Sequence, residues 1–145
     1  MLAKTNAPAS MLYLSDHGED IFDDSRARYL HASPIPTYYQ LHIPYVIWFS
    51  KAYRESYPQK YLEAQAHETY PVSTNSVFHT MLDIAGANRC SSFYDSTFAL
   101  TNRAFKVRDR MYLGDHDDPI PFWKVGLKKQ DFEMMDQWDI AYDRN

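Results

Sequence analysis

A single cysteine, Cys90, in 145 residues excludes an internal disulfide and any cysteine-built zinc site. Long apolar runs are missing as well. The longest nearly unbroken one covers residues 43–49 around Pro44, far short of the roughly 20 residues that a membrane-crossing helix takes. The first residues hold one Lys and no apolar stretch of the kind a secretory signal needs. Positive charge is not in excess either: 15 Lys and Arg stand against 19 Asp and Glu, for a net charge of −4. The basic residues are scattered, so the chain has no nucleic-acid footprint. No repeat or low-complexity tract occurs. What is present is aromatic: 16% of residues, with 12 Tyr and 8 Phe, beside an apolar share of 45%. That composition belongs to a folded chain, and its length suits a single domain over residues 1–145 with a sizeable core.

Hydrophobic patterning divides the chain coarsely. Residues 10–15 read as a buried strand, and residues 44–50 as a second one, continuously apolar as expected when both faces of a sheet are covered. Between them, residues 16–42 form a long irregular stretch with Pro34 and Pro36; such loops in compact domains usually carry function. Residues 58–67 open on Pro58 and continue with good helix formers. Residues 75–85 predict a helix with Val77, Phe78, Met81, Leu82 and Ala85 on one inward face, capped by Ser73 or Asn75 and stopped by Gly86. On that reading Met81→Asp buries an unpaired carboxylate and costs several kcal/mol. Residues 96–107 and 131–142 predict further helices, the last with Phe132, Met135 and Trp138 inward. Strands set among helices imply an α/β fold with a parallel-rich layered sheet.

The most informative run is Met11-Leu12-Tyr13-Leu14-Ser15-Asp16-His17-Gly18-Glu19-Asp20. An apolar strand stops abruptly at adjacent Asp and His, then Gly and two more carboxylates. In open α/β sheets, sites form just beyond the carboxyl ends of strands. Asp16 offers a hard oxygen and His17 a borderline nitrogen, which suits zinc, and Gly18 lets the backbone turn sharply after them. Glu19 reads either as a support that accepts from a ligand or a loop amide, or as a structural cap. His42 and His79 read as packed, hydrogen-bonded histidines, and His67 with Glu68 as surface. The Asp115-His116-Asp117-Asp118 run lacks a preceding strand and is followed by Pro119 and Pro121, so it reads as a solvated acidic loop.

Tyr13-Leu14-Ser15-Asp16-His17-Gly18-Glu19 resembles the C-terminal metal motif of the sulfatase-like enzymes of the alkaline phosphatase superfamily. Within that group the chain resembles the bacterial phosphoethanolamine transferases. Three further segments carry this likeness. Tyr29-Leu30-His31 followed by Ala32-Ser33-Pro34 resembles the family's Tyr-Leu-His-Gly segment, with a preceding loop about two residues longer. His42-Ile43-Pro44-Tyr45-Val46-Ile47-Trp48-Phe49-Ser50 resembles its His-Val-Pro strand, and residues 75–86 its Phe-His-Thr-Leu-Leu helix. The resemblance spans roughly residues 10–90 and fades beyond.

The resemblance implies a C-terminal piece of an alkaline-phosphatase/sulfatase-like layered fold, with a mostly parallel sheet flanked by helices. It implies zinc held by Asp16 and His17, with Glu19 in support and His31 facing the substrate phosphate or a second metal. It implies that a Thr nucleophile, an acidic ligand and several membrane spans lie upstream of this stretch, so that the piece alone is inactive. The expected donor is phosphatidylethanolamine and the acceptor lipid A or a related envelope glycolipid. The expected place is the inner membrane, with the catalytic domain facing the periplasm. The residues also admit a phosphoglycerol transferase or sulfatase-type hydrolase of the same superfamily, or a non-catalytic α/β module.

Overall fold

Strand β1 (Ser10–Leu14) pairs with β4 (Tyr45–Phe49) in a two-stranded sheet, and these are the two strands that the apolar runs predict. The computed structural model describes residues 7–31, 34–114, 118–140 and 142. The Ser50 amide donates to the Ala9 carbonyl at 2.8 Å, which sets the end of β4 beside the start of β1. Neither strand is covered on both faces: Tyr13 is 57% exposed and Val46 44%.

The described chain divides into two compact units. The first comprises residues up to Tyr13 together with Tyr45–Arg108. Here Ser50 caps helix α2 (Lys51–Ser56), its hydroxyl accepting from the Tyr53 amide at 3.1 Å. Helix α3 (Pro58–Ala66) starts on Pro58, where the missing N–H costs nothing. Helix α4 (Ser76–Ile84) ends as expected before Gly86, which adopts φ +68°.

The buried face of α4 is not the expected one. Ser76, Thr80 and Asp83 are buried, whereas Phe78 and Met81 are 48% and 54% exposed. Polar partners decide this. The Thr80 hydroxyl accepts from the Leu100 amide at 3.0 Å, and Asp83 accepts from Tyr94 at 2.9 Å and Thr101 at 2.6 Å. Lys60 completes the set, pairing with the Asp83 carboxylate at 3.5 Å. The helix expected over residues 96–107 is reduced to one 3-10 turn, Ser96–Phe98. Asp95 accepts from the Thr97 amide and Asn102 from the Ala104 amide, and such side-chain bonds compete with helical ones.

The second unit comprises Leu14–Pro44 and the stretch from Asp109 onward. The stretch expected to be irregular contains a short antiparallel hairpin, β2 (Asp20–Ile21) with β3 (Tyr29–Leu30), in which Asp20 faces Leu30. It also contains α1 (Tyr38–Leu41), a single turn. A second antiparallel ladder joins β5 (Met111–Tyr112) and β6 (Ile120–Pro121). Helix α5 (Lys129–Gln137) stops short of the expected end. It turns Met135 into a core with Tyr38, Phe122, Val125 and Leu127, but Trp138, expected inward, is 62% exposed.

Candidate metal centre

Immediately after β1 the chain leaves the sheet, and hydrogen bonds to α1 fix its path. The Gly18 amide donates to the Gln40 carbonyl at 2.9 Å. A Cβ at position 18 would overlap the Tyr39 carbonyl oxygen, so only glycine allows this approach. One step on, buried Asp20 accepts from the Thr37 hydroxyl at 2.6 Å and the Gln40 amide group at 2.5 Å. The loop between these anchors presents His17 and Glu19, and the return strand β3 delivers His31 to the same place.

His17, Glu19 and His31 bring one ligand atom each within 4.8 Å of one another. The two imidazole rings lie 4.1 Å apart, centroid to centroid. His31 Nδ1 donates to Glu19 Oε1 at 2.7 Å, which leaves His31 Nε2 free to ligate. His17 Nδ1 donates to the Gly18 carbonyl at 3.0 Å, and His17 Nε2 lies 3.8 Å from Asp16 Oδ2. The Ser15 hydroxyl is spent on the His17 carbonyl at 2.6 Å.

The electrostatics favour positive charge here. The bond to the Gly18 carbonyl raises the His17 pKa, and the carboxylates of Asp16 and Glu19 add to the rise. The His17 amide and the Asp16 amide lower the Asp16 pKa, with a smaller contribution from the His17 ring. The Glu19 Oε2 atom is buried and has no hydrogen-bond partner. A carboxylate oxygen left bare beside two imidazoles fits a cation, and two nitrogens with carboxylate oxygens are a donor set that zinc accepts.

Of the residues singled out in the sequence, His17, Glu19 and His31 come together; Asp16 adjoins His17, but its carboxylate is 87% exposed and stands outside the three-residue cluster. Glu19 accepts from His31 with one carboxylate oxygen. The other histidines lie elsewhere. His42 is hydrogen-bonded to the Tyr38 hydroxyl at 2.6 Å, and burial, with Arg110 adding to it, lowers its pKa. His79 stacks on Phe98 and accepts from the Asp95 amide, and His67 bonds the Leu100 carbonyl. Asp115, His116 and Asp117 lie outside the described residues. Thr37, Gln40, Arg26 and Asp131 support the loop without having stood out in the sequence. Asp131 reaches the Tyr38 amide across 93 residues, a separation that no local pattern signals.

Comparison with known proteins bears on the family and the fold. A family model described as Sulfatase matches residues 1–87. Phosphoethanolamine transferase EptA of Salmonella typhimurium is 40% identical over 81 residues, covering 53% of this chain and 14% of that protein. EptA of Helicobacter pylori is 33% identical over 86 residues, 58% of this chain and 15% of that protein. Phosphoethanolamine transferase CptA of S. typhimurium is 28% identical over 107 residues, 73% of this chain and 18% of that protein. The chain therefore spans under a fifth of the length of these relatives. Among solved structures, the C-terminal periplasmic domain of EcEptC from Escherichia coli in complex with Zn matches with a TM-score of 0.70 at 23% identity. That match covers 90% of this chain and 35% of the solved one. A second structure of the same domain gives a TM-score of 0.66 at 24% identity, covering 82% and 33%. These likenesses show the fold, an α/β architecture of the alkaline phosphatase type.

Proposed function

Because the chain belongs to the sulfatase family, we propose that it forms the C-terminal part of the metal site of a zinc-dependent phosphoethanolamine transferase. In this reading the intact enzyme moves phosphoethanolamine from phosphatidylethanolamine to lipid A or a related envelope glycolipid. It sits at the inner membrane with this domain on the periplasmic side. The names of the similar proteins support the reaction class. The observation that carries the reading is the bare, buried Glu19 Oε2 beside His17 and His31.

His17, Glu19 and His31 would hold the zinc, with Asp16 next to His17 as a further oxygen donor. Zinc so held would act as a Lewis acid, stabilising charge on phosphate oxygens and acidifying a coordinated hydroxyl. The chain's own residues set the stage. The Gly18 carbonyl keeps the His17 proton on Nδ1, Glu19 keeps the His31 proton on Nδ1, and both Nε2 atoms stay open. The Ser15 hydroxyl is engaged with the His17 carbonyl; in this reading the nucleophile comes from outside this loop, and the chain by itself is expected to transfer nothing. No helix among the described residues is long and apolar enough to cross a membrane, and the membrane attachment in this reading lies outside them.

Zinc titration of the chain against a chelating dye tests the site. Binding is expected in the unaltered chain and is lost in Asp16→Ala and His17→Ala. Stoichiometric zinc that survives both substitutions would place the metal elsewhere and end the reading.

A further inference from the structure

The His17–Glu19–His31 cluster is carried on a loop and a two-residue ladder, neither of which is stable alone. Its anchors all run to α1. Gly18 follows His17, Asp20 follows Glu19 and Leu30 precedes His31, and each of the three bonds Gln40. Yet α1 is four residues long, a single turn that cannot persist by itself. Something else must hold it.

That holder is Asp131 on α5, whose side chain is fully buried. Its Oδ1 accepts from the Tyr38 amide, the first of α1, at 2.9 Å and from Arg26 at 2.8 Å. Its Oδ2 accepts from Arg26 at 2.8 Å and from the Lys128 amide at 2.9 Å. Arg26 sits in the turn between β2 and β3 and also grips Asp24 through Nε at 2.8 Å. One carboxylate thus ties the hairpin turn and the start of α1 to the same helix. It lies beyond residues 1–87, where the family model matches.

We infer that Asp131 is a positioning residue for the metal cluster, fixing through Arg26 and α1 the loop that brings His17, Glu19 and His31 together. This builds on the metal-site reading above, and its test separates the two. The chain is compared with Asp131→Asn and with Asp83→Asn, which alters an equally buried carboxylate in the other unit. Three quantities are read: the nuclear Overhauser contact between the His17 and His31 rings, hydrogen exchange at the Gly18 amide, and zinc affinity.

Asp131→Asn is expected to abolish the ring contact and speed Gly18 exchange about tenfold. It should weaken zinc about tenfold or more, as loss of a ligand-orienting partner does. Asp83→Asn should leave all three unchanged. If Asp131→Asn does not fold, Arg26→Gln carries the test, since it leaves the Tyr38 and Lys128 bonds in place, with the same signs expected. An intact ring contact and unchanged Gly18 protection in either folded variant would overturn the inference. Absence of zinc binding by the unaltered chain counts against the metal reading alone, and the ring contact and Gly18 exchange then decide this one.

Discussion

Glu19 faces His31 with one carboxylate oxygen and leaves the other buried without a partner. Burying an unpaired carboxylate oxygen is costly, so an arrangement that keeps it gains from any cation that arrives. His17 beside it has a raised pKa, chiefly because the Gly18 carbonyl holds its proton and then because Asp16 and Glu19 are close. Zinc takes the neutral ring, so protons and metal compete at Nε2. The sign is fixed: metal binding weakens as pH falls, and it starts to do so above the ordinary histidine value of about 6.5. Dye competition at a series of pH values should show apparent affinity already declining before pH falls to about 6.5. An affinity flat down to that pH would mean that His17 is not a ligand. Asp16 and His17 are legible in the sequence because they adjoin each other after a strand. The Glu19–His31 contact is partly so, since a motif names both residues but only the hairpin sets their distance.

At the scale of elements, α4 shows how a correct helix can be assigned the wrong face. Spacing alone places Val77, Phe78 and Met81 together, and hydrophobicity suggests that they go inward. The opposite face instead meets four polar side chains that converge on Asp83, two of them closer than 3 Å. A buried carboxylate so supplied keeps its face inside. Met81→Asp should therefore cost under about 1 kcal/mol, the range of surface substitutions. Asp83→Ala, which removes the carboxylate shared by Tyr94, Thr101 and Lys60, should cost about 3 kcal/mol or more. Urea denaturation of both variants checks the order, and a larger loss from Met81→Asp would restore the first assignment. Elements of two to four residues such as β2, β3 and α1 have no room for a period, so patterning cannot find them.

At the scale of the molecule, the second unit is closed by a charge network as much as by its apolar core. Burial pushes the Asp131 pKa upward, but the Arg26 guanidinium and the Tyr38 and Lys128 amides outweigh it, and the net shift is downward. Asp24 is lowered by the same guanidinium. A depressed carboxylate contributes stability above its unfolded pKa, near 3.9, and loses it as pH falls through the folded value. The urea midpoint of the chain should thus drop steeply below about pH 4, and Asp131→Asn should flatten that slope while lowering stability at neutral pH. Parallel curves for the two proteins would show that the network contributes nothing to acid sensitivity.

The sequence by itself determined the α/β class, the two core strands, the start of α3, the stop at Gly86 and the ligand vocabulary at Asp16, His17, Glu19 and His31. These follow from local rules: apolar runs, caps, turn residues and donor chemistry act over a few positions. Only the tertiary structure decided which face of α4 is buried, that residues 96–107 do not continue as a helix, and that a carboxylate on α5 holds the loop carrying the cluster. Those outcomes depend on which polar group finds a partner. The partner of Tyr38 lies 93 residues away, beyond the reach of any periodicity in the chain.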